Sequence, residues 1–122
     1  MISWAVIGSG AALSALLAGV LVALAAPGNR LAAGTGAAVG AAAGPIAWNA
    51  ILRATHASTF FTDAPLVILP ASWQDTGSGV FTIATTAIVL GLGPLGGQPA
   101  RRVVPLALLA GLAAFLVDVY LY

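Results

Sequence analysis

Residues 2–26 read ISWAVIGSGAALSALLAGVLVALAA, a run without one charged side chain. A helix rises 1.5 Å per residue, so ~20 apolar residues cross the hydrocarbon core of a bilayer. This run is long enough, and Pro27-Gly28-Asn29-Arg30 ends it with two residues that do not continue a helix and two that seek headgroups. Working outward, comparable runs cover 31–52, about 77–95 and 103–122. The expected fold is therefore all-α: an integral membrane four-helix bundle, one four-span domain over 1–122, with a single long connection at 53–76.

Composition agrees with that reading. The 122 residues are 61% hydrophobic and 6% charged, and the mean hydropathy is +1.07. A soluble domain carries about a quarter of its residues as charges. Here the charges are Arg30, Arg53, Arg101, Arg102, Asp63, Asp75 and Asp118, with His56 as the one histidine. Without cysteine there is no disulfide, thiolate nucleophile or cysteine-ligated metal. The formal net charge of +1 and the absence of lysine argue against nucleic acid as a partner. The first run lacks the positive flank of a secretory signal and is expected to be a retained span. Abundant Ala, Gly, Leu and Val suit a GC-rich bacterial genome, and the resemblance to small membrane families is one of hydropathy alone.

Arginine placement sets an expected orientation. Arg30 lies in the first loop and Arg101 and Arg102 in the third, whereas Arg53 lies at the other end. The positive-inside rule puts loops one and three in the cytoplasm of a bacterial inner membrane, and both termini and the 53–76 loop outside.

Small residues indicate how the spans pack. Gly36, Gly40 and Gly44 recur every four residues and make one helix face without side chains. Ala11, Ala15, Gly19 and Ala23 form a similar stripe on the first span, so the expected arrangement is a tight hairpin of spans one and two. Pro45 interrupts the second span and is expected to kink it, with Asn49 positioned to line a cavity beyond the kink. Thr82, Thr85 and Thr86 neighbour one another on span three, where hydroxyls in lipid bond back to carbonyls a turn earlier.

The candidate site is an outward polar cluster of Arg53, His56, Asp63, Asp75 and Asp118. An acid near lipid needs a partner or a place in the protein interior, and Arg53 is the expected counter-ion of Asp118. Asp75 would favour the positive end of the third helix, capped by Thr76 or Ser78. His56 beside Asp63 or Asp75 would make a proton acceptor. The loop also carries Phe60, Phe61, Trp73 and the segment Leu66 to Leu69 between Pro65 and Pro70, which is expected to re-enter the interface as part of a cap. No nucleophile elbow, phosphate loop or defensible metal-ligand spacing is present, and no cofactor or metal is expected. The expected function is that of a non-catalytic accessory or assembly subunit of a larger membrane complex of transport or respiratory type. A homo-oligomeric transporter or channel for a small solute is the first alternative, and a small membrane enzyme the second.

Overall fold

The computed structural model describes residues 2–63 and 68–121. They form α1 (Trp4–Ala25), α2 (Arg30–Ala54), a short 3-10 turn (Ser58–Phe61), α3 (Trp73–Leu92) and α4 (Ala100–Leu121). All four α-helices are long and apolar enough to cross a membrane. Each packs on its neighbours in chain order and α4 closes back on α1, giving an antiparallel four-helix bundle. One end carries the 55–72 connection and the outer ends of α1 and α4; it is the cap end. The other carries Arg30, Arg101 and Arg102; it is the arginine end.

The helix starts are chemically specified. The Ser3 side chain accepts from the Val6 amide at 3.3 Å and the Asn29 side chain from the Ala32 amide at 3.1 Å, each satisfying an amide that has no carbonyl within its helix. Glycines supply the left-handed backbone of the tight turns: Gly28 (φ 78°) between α1 and α2, and Gly97 (φ 81°) between α3 and α4. The α2 helix runs through Pro45 without a break.

Hydrophobicity is distributed as lipid requires. Leu16, Leu24, Val39, Ile88 and Leu112 face outward, while the interior toward the arginine end is filled by Ala18, Ala33, Ala37, Leu90, Leu106 and Ala110. Lipid offers these helices no hydrophobic drive to associate, so attraction comes from close backbone packing. That packing corrects the expected pairing of the glycine stripe. A Cβ on Gly40 would lie 2.6 Å from the Thr86 Cα, one on Gly44 2.7 Å from the Thr82 Cα, and one on Gly36 2.8 Å from Leu90 Cδ2. The stripe therefore seats α3. The α1 helix takes the other side of α2, where Gly34 meets Gly19 and Ala23, and Gly19 meets Ala38. Two small-residue faces make α2 the helix against which both neighbours dock.

The connection is shorter than the sequence suggested. The α2 helix extends through Ala54 and α3 begins at Trp73, so Gln74, Asp75 and Thr76 are helical rather than part of a loop. Half of the segment 66–69, for which re-entry was expected, lies outside the described residues. Of that segment, Ile68 and Leu69 are exposed, and the Ile68 carbonyl accepts from the Tyr120 hydroxyl at 2.6 Å.

Candidate functional site

Toward the cap end the core turns polar. Asn49 of α2, Gln74 and Ser78 of α3 and Asp118 of α4 are all essentially removed from solvent. The Gln74 amide nitrogen lies at the centre of this group. It donates toward Ser78 Oγ at 3.2 Å, and toward Asn49 Oδ1 and Asp118 Oδ2 at 3.3 Å each. Asn49 is fixed in turn by donating from Nδ2 to the Pro45 carbonyl at 2.8 Å. The proline thus helps position Asn49, and the cavity expected beyond it is filled by the Gln74 amide.

Gln74 is held from outside as well. The Trp48 indole donates to its carbonyl at 3.0 Å, and the ring lies over Gly77, where any Cβ would collide with it. Phe60 and Phe81 flank Trp48 at centroid separations of 6.0 and 5.1 Å. Trp48 therefore belongs to the α2–α3 seam. The start of α3 is locked by a capping box: Ser72 Oγ accepts from the Asp75 amide at 3.2 Å while Asp75 Oδ2 accepts from the Ser72 amide at 2.8 Å. Ser72 is thus the cap, where Thr76 or Ser78 was expected, and Ser78 is freed to face the core.

The five residues expected to cluster outward share one end of the bundle but take separate places. Asp118 is inside the core and Asp75 is in the capping box. Arg53 reaches the start of α1, where its guanidinium donates to the carbonyl of Ile2, just before the helix, and lies 4.7 Å from the centre of the Trp4 ring. These contacts tie the ends of α1 and α2 together, a role the expected pairing with Asp118 does not include. His56 is exposed on the turn leaving α2, with a left-handed φ of 54°. Asp63 is also exposed, and with Asp75, Ser72, Gln74, Phe61 and Ile2 it lines a cavity of 140 Å³ beneath the cap. Among the described residues no three His, Cys, Asp or Glu side chains converge as a metal cluster would.

Below the polar centre, Gln74, Ser78, Thr82 and Thr86 continue at four-residue spacing along the buried face of α3. Thr82 and Thr86 press on the backbone at Gly44 and Gly40, and Ser14 of α1 is also fully buried. The Thr85 hydroxyl shares its one proton between the Phe81 carbonyl a turn earlier, at 2.8 Å, as expected, and the Gly40 carbonyl across the seam, at 2.7 Å, whereas the buried hydroxyls of Thr82 and Thr86 make no such bond back among the described residues. Gln74, Ser78 and Ser14 were missed as core residues. The signal for the first two was the four-residue spacing itself, hidden for Gln74 by starting the helix at residue 77 and for Ser78 by reading it as a cap.

Fold and site together define a class: a multi-pass helical membrane protein whose tightly packed bundle encloses an amide- and carboxylate-bearing centre near one face. No protein-family model matches the chain, and no curated protein or solved structure is significantly similar to it.

Proposed function

We propose that the protein is a non-catalytic accessory or assembly subunit that docks sideways, within the bilayer of a bacterial plasma membrane, onto a larger membrane complex of transport or respiratory type. The observation that carries this reading is the groove between α1 and α2. It measures 340 Å³, opens toward lipid, and is lined by small residues that include Ala15, Gly19, Ala23, Gly34 and Ala38. Such a surface lets a foreign helix approach to backbone distance, which is how attraction between helices is generated in lipid. The packed interior supports the same reading: Thr86 and Thr82 press on Gly40 and Gly44 across the α2–α3 seam, and Ala18, Ala37, Leu90 and Ala110 fill the core toward the arginine end. The arginine end is assigned to the cytoplasm by its excess of arginine.

The test is purification from native membranes in a mild detergent, with mass spectrometry of stoichiometric companions. Thr35 is exposed on the groove rim, so Thr35→Trp fills the groove while leaving the α1–α2 contact in place. A larger partner that co-purifies with wild type and is lost with Thr35→Trp supports the proposal. A homo-oligomer without a partner contradicts it and favours the second reading, a small-solute transporter. That reading draws on the polar face of α3, and flux into liposomes would then decide it.

A further inference from the structure

We infer that the arginine end binds the phosphate headgroup of one anionic phospholipid, in the cavity between the α1–α2 turn and the α3–α4 turn. This holds whether the bundle acts alone or within a complex. The cavity measures 200 Å³, and Asn29, Gln98 and Arg102 form its polar wall. A guanidinium is a fork of N–H donors with no acceptor, matched to two phosphate oxygens at once. Asn29 Oδ1 already accepts from the Ala32 amide, which leaves the NH₂ of that side chain to donate. Gln98, exposed beside them, carries a second NH₂. A side-chain wall of donors without a carboxylate selects an anion. The two turns are far apart in sequence, so no local run of basic residues marks the site.

Charge at this end is unbalanced. Arg30 opens α2, and Arg101 and Arg102 follow Ala100 at the start of α4, while the three aspartates of the chain all lie toward the cap end. Neither helix has an acid in its first turn. The helix dipole disfavours cations there, so these arginines do not stabilise their own helices. A bound phosphodiester supplies the missing negative charge. The remaining lining favours a lipid over a free ion. Pro27, Pro94 and Leu95 give the cavity an apolar wall, and Leu31 and Leu92 are exposed at the adjoining helix ends, where acyl chains begin. A water needs about 10–15 Å³ of such space, so a phosphate and the first glycerol carbons fit.

The test titrates the full chain, in dodecyl maltoside micelles, with dioctanoyl phosphatidylglycerol and separately with dioctanoyl phosphatidylcholine. Bound lipid is counted by native mass spectrometry. Phosphatidylglycerol should saturate at one molecule per chain and raise the folded-to-unfolded ratio by about 11-fold at ten times its Kd. Phosphatidylcholine should do neither at the same mole fraction. Arg102→Gln and Arg101→Gln remove the same charge from exposed neighbouring positions, but only Arg102 lines the cavity. Arg102→Gln should weaken binding by about tenfold or more, through loss of charge-assisted hydrogen bonds. Arg101→Gln should change it by about twofold at most, because an exposed charge outside the cavity is screened. Equal binding of the two lipids overturns the inference. Equal losses in the two variants also overturn it, since diffuse attraction to the arginine end would then be sufficient. Displacement of the lipid by sodium phosphate at constant ionic strength would identify the ligand as free phosphate and overturn the lipid assignment.

Discussion

Replacing Gly40 by alanine tests the α2–α3 seam, on which the position of the polar centre depends. The added methyl carbon would sit 2.6 Å from the Thr86 Cα and 2.8 Å from its amide nitrogen. Ordinary carbon contacts lie at ~3.5–4.0 Å, so the helices must separate locally by about 1 Å. The obstructing atoms are backbone and have no rotamer to turn away. Overpacking of this kind costs about 1–3 kcal/mol. The Thr85 hydrogen bond to the Gly40 carbonyl, 2.7 Å long, would be stretched with it, and such bonds in membrane bundles contribute about 0.6 kcal/mol. In water, alanine would recover about 1 kcal/mol of helix propensity. In lipid or detergent that gain is small, because separated spans stay helical to satisfy their backbones. The expected loss is about 2–3 kcal/mol. It should be measured by unfolding in mixed micelles of increasing SDS fraction, followed by tryptophan emission. Gly91→Ala is the control, since a Cβ there meets nothing within 4 Å. A Gly40→Ala protein within about 0.5 kcal/mol of that control would refute the seam.

Two further outcomes follow from the contacts at the cap end. Ser72→Ala removes the side-chain acceptor of the capping box and should cost about 1 kcal/mol in the same unfolding assay, with Ser72→Thr recovering part of it. Arg53→Gln and Trp4→Leu should each destabilise the protein, and their double variant should fall short of the sum by about 0.5–1 kcal/mol, because both break the same cation–ring contact. Strict additivity would show that the guanidinium does not lie on that ring.

The fold was legible because a charge-free run long enough to cross a bilayer has few other uses. The glycine stripe announced that a backbone approaches α2 closely, but spacing within one helix cannot say whose. The face bearing Gly34 and Ala38 competes for α1 and wins it, leaving Gly36, Gly40 and Gly44 for α3. Ser72-Trp73-Gln74-Asp75 has the form of a capping box, and that pattern was sufficient to start α3 at Trp73. Its tryptophan and glutamine resembled loop instead, and four residues of polar helix went unread. Once the helix starts at Trp73, Gln74 joins Ser78 on the face that carries Thr82 and Thr86. The partnership of Gln74 with Asp118 joins residues 44 apart and of Arg53 with Ile2 residues 51 apart. Such contacts follow from helix packing and leave no trace in local pattern.

The chain has no cysteine, so single cysteines can be introduced at Ser58, exposed beside the cap, and at Gln98, exposed at the arginine end. An impermeant thiol reagent applied to whole cells should label the cysteine at 58, and label the one at 98 only after the membrane is permeabilised. Labelling of 98 alone would invert the orientation, and labelling of both from the same side would contradict the four-span bundle itself.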